Sequence, residues 1–268
     1  MANAEFEAIR LKVVEWAAQG GAIARERLGK AIASQKADQS VVTDADHAVQ
    51  ELLLERIGST FPNDAAITEE VQRAPYRHAA RATARRCWVI DPIDGTRNYA
   101  RGFPLFSVAI ALTEDGSPVV GVIHNPMTGE MYSASLGGGA FRGEQRLQVG
   151  DEPKSSGAVI AVPSARRGPL PRFLHRWMDE MVLRNTGSTA MHLAMVAGGA
   201  VDAAYSEDCR LWDVVAGALI AAEAGAVVVR PDGGALFPLD LVSYVEEDVP
   251  CIAAGPTLAR QLLSEIPR

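Results

Sequence analysis

The chain has 268 residues, 48% of them hydrophobic and 22% charged, with a formal net charge of −7. That length allows one large domain or two small lobes, and the composition is globular rather than disordered or fibrous. With 33 acidic against 26 basic side chains, the chain lacks the basic footprint that counterion release needs, so neither nucleic acid nor an anionic membrane is an expected partner.

Cys87, Cys209 and Cys251 are odd in number and widely spaced. That argues against a disulfide framework or a thiolate zinc site and fits a reducing, cytoplasmic location. Glu5, Glu7 and Arg10 interrupt the N-terminus, so no secretory leader is expected. The most apolar run, 214–229, contains Glu223 and is too short to span a bilayer of about 30 Å.

Phe6, Ile9, Val13, Trp16 and Ala17 recur at helical spacing and predict an amphipathic helix over 5–28. A loop through 37–40 leads to a second helix that opens near Thr43, with Val49, Leu52, Leu53 and Ile57 on one face. Pro62-Asn63-Asp64 is a turn, and Ala66-Ile67 a short strand running into Glu69-Glu70. Beyond an Arg-rich connector, 87–90 reads as a buried strand ending at Asp91, where Pro92 is expected to stop the ladder. Period-two alternation then predicts strands over 107–112, 119–124 and 131–135, an antiparallel meander closed by Gly137-Gly138-Gly139. Past a boundary near 150–157, strands at 158–162, 182–185, 201–205 and 226–230 alternate with helices at 171–181, 189–198 and 214–224. The expectation is therefore one domain in two interlocked halves, an α+β half over 1–150 and an α/β half over 151–268.

The segment Trp88-Val89-Ile90-Asp91-Pro92-Ile93-Asp94-Gly95-Thr96 carries the chemistry. A strand delivers Asp91 at its end, and Asp94 comes one tight bend later, so two carboxylates converge. Gly95 and Thr96 open a short helix whose free N–H groups favour a phosphate. Carboxylates beside an anion seat repel that anion unless a cation lies between them, which points to a hard divalent metal. Three further features stay open to two readings each. Glu69-Glu70 is a solvated loop end or a source of a third ligand. Trp212-Asp213 is a helix cap or part of the same centre, and Thr43-x-x-Asp46 is a capping box or a support for it.

DPIDGT, the preceding Glu69-Glu70, the upstream Val42-Thr43-Asp44-Ala45-Asp46, Gly187-Ser188-Thr189-Ala190 and the distal Trp212-Asp213-Val214-Val215-Ala216-Gly217 together resemble the inositol monophosphatase family. The resemblance runs in order over roughly 36–229. It implies a layered αβαβα sandwich of the inositol monophosphatase and fructose bisphosphatase type, a homodimer, and two to three Mg2+ ions per subunit.

Carried over by residue, Glu70, Asp91 and the Ile93 carbonyl would hold the first metal, and Asp91, Asp94 and Asp213 the second. Glu70 would help place a third through water. Gly95 and Thr96 would bind phosphate, with Thr96, Asp46 and Glu70 orienting the attacking water. The alcohol would meet Ser188, Thr189, Ser206 and Glu207. Lys36 matches a basic position near the metals.

Magnitudes agree with a metal mechanism. Phosphate-monoester hydrolysis needs accelerations of up to about 10²¹, whereas one general base supplies about 10²–10⁴. The all-oxygen ligand set favours Mg2+ over Zn2+. None of the five histidines has HExxH spacing, and each reads as structural or exposed, with His192, which follows the segment 187–190, also open to bordering the substrate.

The substrate implied is a small sugar, polyol or amino-alcohol monophosphate. Enzymes specific for inositol phosphates carry a Glu seven residues before the distal Asp. Ser206 stands there, a departure that points away from inositol phosphate. Glu207 or Asp208 would suit an ammonium such as that of histidinol phosphate. A bisphosphate nucleotidase, a fructose 1,6-bisphosphatase and a non-catalytic RNA- or transcription-associated protein are the other readings.

Overall fold

The computed structural model describes residues 2–30, 33–35, 41–70, 85–151, 157–163 and 169–267. Lys36, the loop at 37–40 and most of the Arg-rich connector lie outside the described residues.

Helix α1 (Ala2–Arg27) is followed by a short antiparallel pair, β1 (Ala33–Gln35) and β2 (Val41–Thr43), and by helix α2 (Asp44–Thr60). The next strands are β3 (Ala65–Thr68), β4 (Arg86–Asp94), β5 (Ser107–Glu114), β6 (Ser117–His124), β7 (Met131–Ser135), β8 (Gly139–Arg142) and β9 (Gln145–Arg146). They lie in sequential order in one seven-stranded sheet, and the short helix α3 (Thr96–Ala100) interrupts the chain after β4. Only the β3–β4 pair is parallel.

Alternation assigns the two faces. Trp88, Ile90, Val108, Ile110 and Leu112 pack with Val13, Trp16, Val49 and Leu53 of α1 and α2. Val89, Ala109, Ala111 and Ile123 point the other way.

The second half contributes β10 (Val159–Ala161), α4 (Arg172–Glu180), β11 (Val182–Arg184), α5 (Thr189–Gly198), β12 (Ala203–Ser206), α6 (Leu211–Glu223), β13 (Val227–Val229), β14 (Cys251–Ala254) and α7 (Pro256–Glu265). Its five-stranded sheet runs β11-β10-β12-β14-β13, with β10 parallel to both β11 and β12 and the remaining pairs antiparallel. Ala203, Tyr205, Ile252 and Ala254 bury against Phe173 and Trp177 of α4 and Leu258 and Leu262 of α7. Ala204, Cys251 and Ala253 face the opposite way, into the layer formed by α5 and α6. The order is α1/α2, sheet, α5/α6, sheet, α4/α7, the expected αβαβα sandwich. Among the described residues no helix is long and apolar enough to cross a membrane.

Several local expectations are corrected. Pro92 does not end its ladder; β4 continues through it to Asp94 by way of a bulge. The meander does not stop at the three glycines, because β8 and β9 extend it. Residues beyond Arg230, left without elements by periodicity, form β14 and α7. Helix α6 starts at Leu211, which places Asp213 within its first turn rather than ahead of it.

Candidate metal centre

Asp91 and Asp94 are three residues apart, so an unbroken strand would send them to opposite faces of the sheet. The bulge prevents this. Asp91 pairs with Ala109 and Asp94 with Ser107, so two residues of β4, Pro92 and Ile93, stand opposite one of β5. Cross-strand partners share a face, and 107 and 109 lie on the same one, toward α5 and α6. Pro92 is suited to this place, since the extra residue of a bulge needs no ladder N–H.

One oxygen of Asp94 is fully engaged. Its Oδ2 accepts from Ser188 Oγ at 2.5 Å and from Ala190 N at 2.7 Å, and the Thr189 N–H also points to this carboxylate. Asp94 thereby caps α5 beside that helix's own N-cap, Ser188. Across the turn, Gly95 adopts φ 91°, and a Cβ there would lie 3.2 Å from the Gly187 carbonyl. The turns at 94–96 and 186–190 therefore lock face to face.

The third acid arrives on α6. Asp213 Oδ2 accepts from Arg210 N at 2.6 Å, closing the first turn of the helix. Carboxylate oxygens of Asp91, Asp94 and Asp213 all lie within 4.8 Å of one another. Asp91 and Asp94 are buried, and Asp213 is partly exposed.

Burial raises the pKa of all three carboxyls. Asp91 is pushed well above the usual carboxylate range by desolvation and then by the charges of Glu69, Asp94 and Asp213. Asp94 rises to about 7, mainly by burial and the nearby Asp213, against the pull of its hydrogen bonds. Asp213 is raised by burial, against the pull of its hydrogen bond from the Arg210 N–H. Asp91 Oδ1 is buried and has no hydrogen-bond partner in the structure. A convergent all-oxygen set with an orphaned carboxylate oxygen fits a hard divalent cation.

A second layer surrounds this triad. Thr43 caps α2 and forms a full capping box with Asp46, whose Oδ2 accepts from Thr43 N at 2.8 Å and Thr43 Oγ1 at 2.6 Å. The other oxygen, Oδ1, faces Thr96 Oγ1 at 3.3 Å, and that hydroxyl also reaches the Ile93 carbonyl at 3.0 Å. Capping and site support are thus one arrangement. Burial lifts Asp46 to about 6, with the Glu70 charge adding to the rise.

Glu70 is buried beside Asp46, and its backbone exchanges two hydrogen bonds with the amide of Gln50. It stands outside the tight group of three aspartates, while the charge of its neighbour Glu69 acts on Asp91. Gln50 and Asn98 escaped sequence reasoning. A buried Gln on an apolar helix face was the available signal for the first; the second had none.

On the facing side, Ser206 ends β12 and is buried with an unpartnered hydroxyl, on the same sheet face as Ala204. Glu207 is half-buried and Asp208 exposed. Arg210 pairs with Asp248 at 2.5 Å, so its charge is already met. His192 is buried in α5.

Three carboxylates converging within an αβαβα sandwich define the class of protein as one built around a divalent-metal centre. A model described as the inositol monophosphatase family matches residues 6–266, and the chain belongs to that family. It is 35% identical over 210 residues to an inositol-1-monophosphatase of Mesorhizobium japonicum, covering 75% of this chain and 76% of that one. It is 32% identical over 238 residues to a protein named Nus factor SuhB of Pasteurella multocida, covering 86% and 84%. Among solved structures, the extragenic suppressor protein suhB of Bartonella henselae superposes with a TM-score of 0.83 at 26% identity, over 97% of this chain and 99% of that one.

Proposed function

We propose that this protein hydrolyses a small phosphorylated metabolite, a sugar, polyol or amino-alcohol monophosphate, in a Mg2+-dependent reaction. The observation that carries the reading is the convergence of Asp91, Asp94 and Asp213, with the buried Asp91 Oδ1 left without a hydrogen-bond partner. Three carboxylates this close, two of them buried, are costly without a cation. Asp91, Asp94, Asp213, Glu70 and the Ile93 carbonyl would hold two to three ions. When bound, magnesium supplies Lewis-acid polarisation of phosphate oxygens and a lowered pKa for a water.

The chain's own groups supply the rest. Asp94 presents a single free oxygen, because Ser188 and Ala190 hold the other. Backbone N–H groups of Gly95 and Thr96 seat the phosphate. The Thr96 hydroxyl, steadied by Asp46 and the Ile93 carbonyl, orients the attacking water together with Glu70. Ser188, Thr189, Ser206 and Glu207 line the side from which the alcohol approaches. Parallel strands β10 and β12 end there, and the carboxyl edge of parallel strands is where ligands bind. The two halves, 1–150 and 151–268, act as one domain meeting at this site, and the assembly is read as a cytoplasmic homodimer.

Phosphate release decides the class and the substrate. The panel holds inositol phosphates, histidinol phosphate, glycerol 2-phosphate, adenosine 3′,5′-bisphosphate and fructose 1,6-bisphosphate in magnesium buffer. A preference above about tenfold in kcat/KM, about 1.4 kcal/mol in transition-state binding, names the alcohol. Asp91→Asn should abolish turnover; retention of most activity would refute the metal assignment. A protein inert to every ester but retained on RNA at physiological salt would favour a role of the kind that the name Nus factor describes.

A further inference from the structure

Buried on α5, His192 accepts a hydrogen bond at Nε2 from the backbone N–H of Thr186 at 3.2 Å. An accepting Nε2 places the ring proton on Nδ1. Nothing in that bond belongs to helix or sheet; it reaches back six residues, from the second turn of α5 to the loop ahead of it. The carbonyl of the same residue, Thr186, accepts from Asn98 Nδ2 at 2.6 Å, and that amide also bonds the Leu105 carbonyl at 2.6 Å. The Thr186 backbone is therefore gripped on both sides, by His192 from the second half and by Asn98 of α3 from the first.

The residues immediately after Thr186 lead into the acidic centre. Gly187 sits at φ 86°, and a Cβ there would lie 2.6 Å from Asn98 Nδ2. Ser188, the next residue, places its hydroxyl on Asp94 Oδ2, and Ala190 N joins it. Among the described residues, His192 supplies the side-chain acceptor for the Thr186 N–H. Without that acceptor, Thr186 loses its side-chain tie to α5, while Ser188 keeps the capping bond from Met191 N.

We infer that His192 is a positioning residue for the acidic centre: its Nε2 holds the Thr186 backbone against Asn98, and the turn so fixed orients the Asp94 carboxylate. The inference rests on the proposed metal centre and adds to it a residue that touches no substrate or metal. Burial keeps the imidazole neutral, with its pKa lowered to about 4, so the acceptor persists at neutral pH. Outer partners of ligating groups typically govern metal affinity by about 10–100-fold.

The experiment uses the full chain and two amides. A Gln side chain places its carbonyl near the position of Nε2, whereas Asn reaches only that of Nδ1. Terbium binding, read by luminescence sensitised through Trp212 beside Asp213, is measured with kcat and KM for wild type, His192→Gln and His192→Asn. His192→Asn should weaken terbium by about tenfold or more and lower kcat more than it changes KM, while His192→Gln stays near wild type. Equal behaviour of the two variants overturns the inference. Amide exchange on unsubstituted protein is the independent arm. The Thr186 N–H should exchange as slowly as the interior amides of α5, and fast exchange there also overturns it. Absence of terbium and magnesium binding in the wild type would instead refute the metal centre, with the Thr186 exchange rate still deciding the clamp.

Discussion

The α-carbon of Gly121 in β6 lies so close to α6 that a Cβ added there would stand 2.7 Å from the Ala216 carbonyl oxygen. This contact seats the helix that carries Asp213 against the sheet that carries Asp91 and Asp94. Both partners are backbone, so neither can swing away. On its other side, α6 meets α5 where a Cβ on Gly217 would lie 2.5 Å from Leu193 Cβ.

Gly121→Ala is therefore expected to lift α6 off the sheet. Overpacking of this kind costs about 1–3 kcal/mol. Urea unfolding should show that loss, and terbium affinity should fall with it because Asp213 moves relative to its two partners. An alanine variant as stable as wild type would show that the helix is not held by this approach.

The buried acids also make stability depend on pH. Asp94 titrates near 3.8 in an unfolded chain and at about 7 in the folded protein. Between those values the folded state holds the extra proton, so this group's contribution to stability is present at low pH and is lost as pH rises toward 7. The buried His192, lowered to about 4, acts in the opposite sense, so the group must be isolated. In metal-free buffer, Asp94→Asn should gain melting temperature relative to wild type as pH goes from 4 to 7.5. A difference that shrinks over that interval would contradict the burial argument.

The cap on α2 is open to a third test. Thr43→Val removes the acceptor for Ala45 N and the hydroxyl donor to Asp46. Loss of such a cap costs about 0.5–2 kcal/mol. Because Asp46 also faces Thr96, turnover should fall beyond what stability explains, whereas Thr43→Ser should restore both. Thermal melts and kcat for the pair settle the point.

Elements with strong period or strong caps were legible in advance. The alternation over 107–135 became β5 to β7, and the spacing of Phe6, Ile9, Val13 and Trp16 became α1. The capping box Thr43-x-x-Asp46 lies where its residue types placed it. Short strands set by tertiary pairing were not legible. β14 spans four residues and owes its place to β12 and β13 on either side. Nor was the passage of β4 through Pro92, since proline within a run reads as a stop unless a bulge absorbs it. Glu69-Glu70 illustrates the same limit, because two adjacent acids look alike in sequence while only their surroundings separate buried Glu70 from half-buried Glu69.

Residue order alone determined which acids are available and the layered class of fold, because periodicity, composition and motif spacing are local properties. Only the folded chain decided that Asp91 and Asp94 share a face, that Asp213 arrives from 119 residues further on than Asp94, counting 213 − 94, and that His192 reaches Thr186. Each of these depends on a one-residue bulge, a close approach of backbones or a buried hydrogen bond, and such relations exist only once distant segments are packed together.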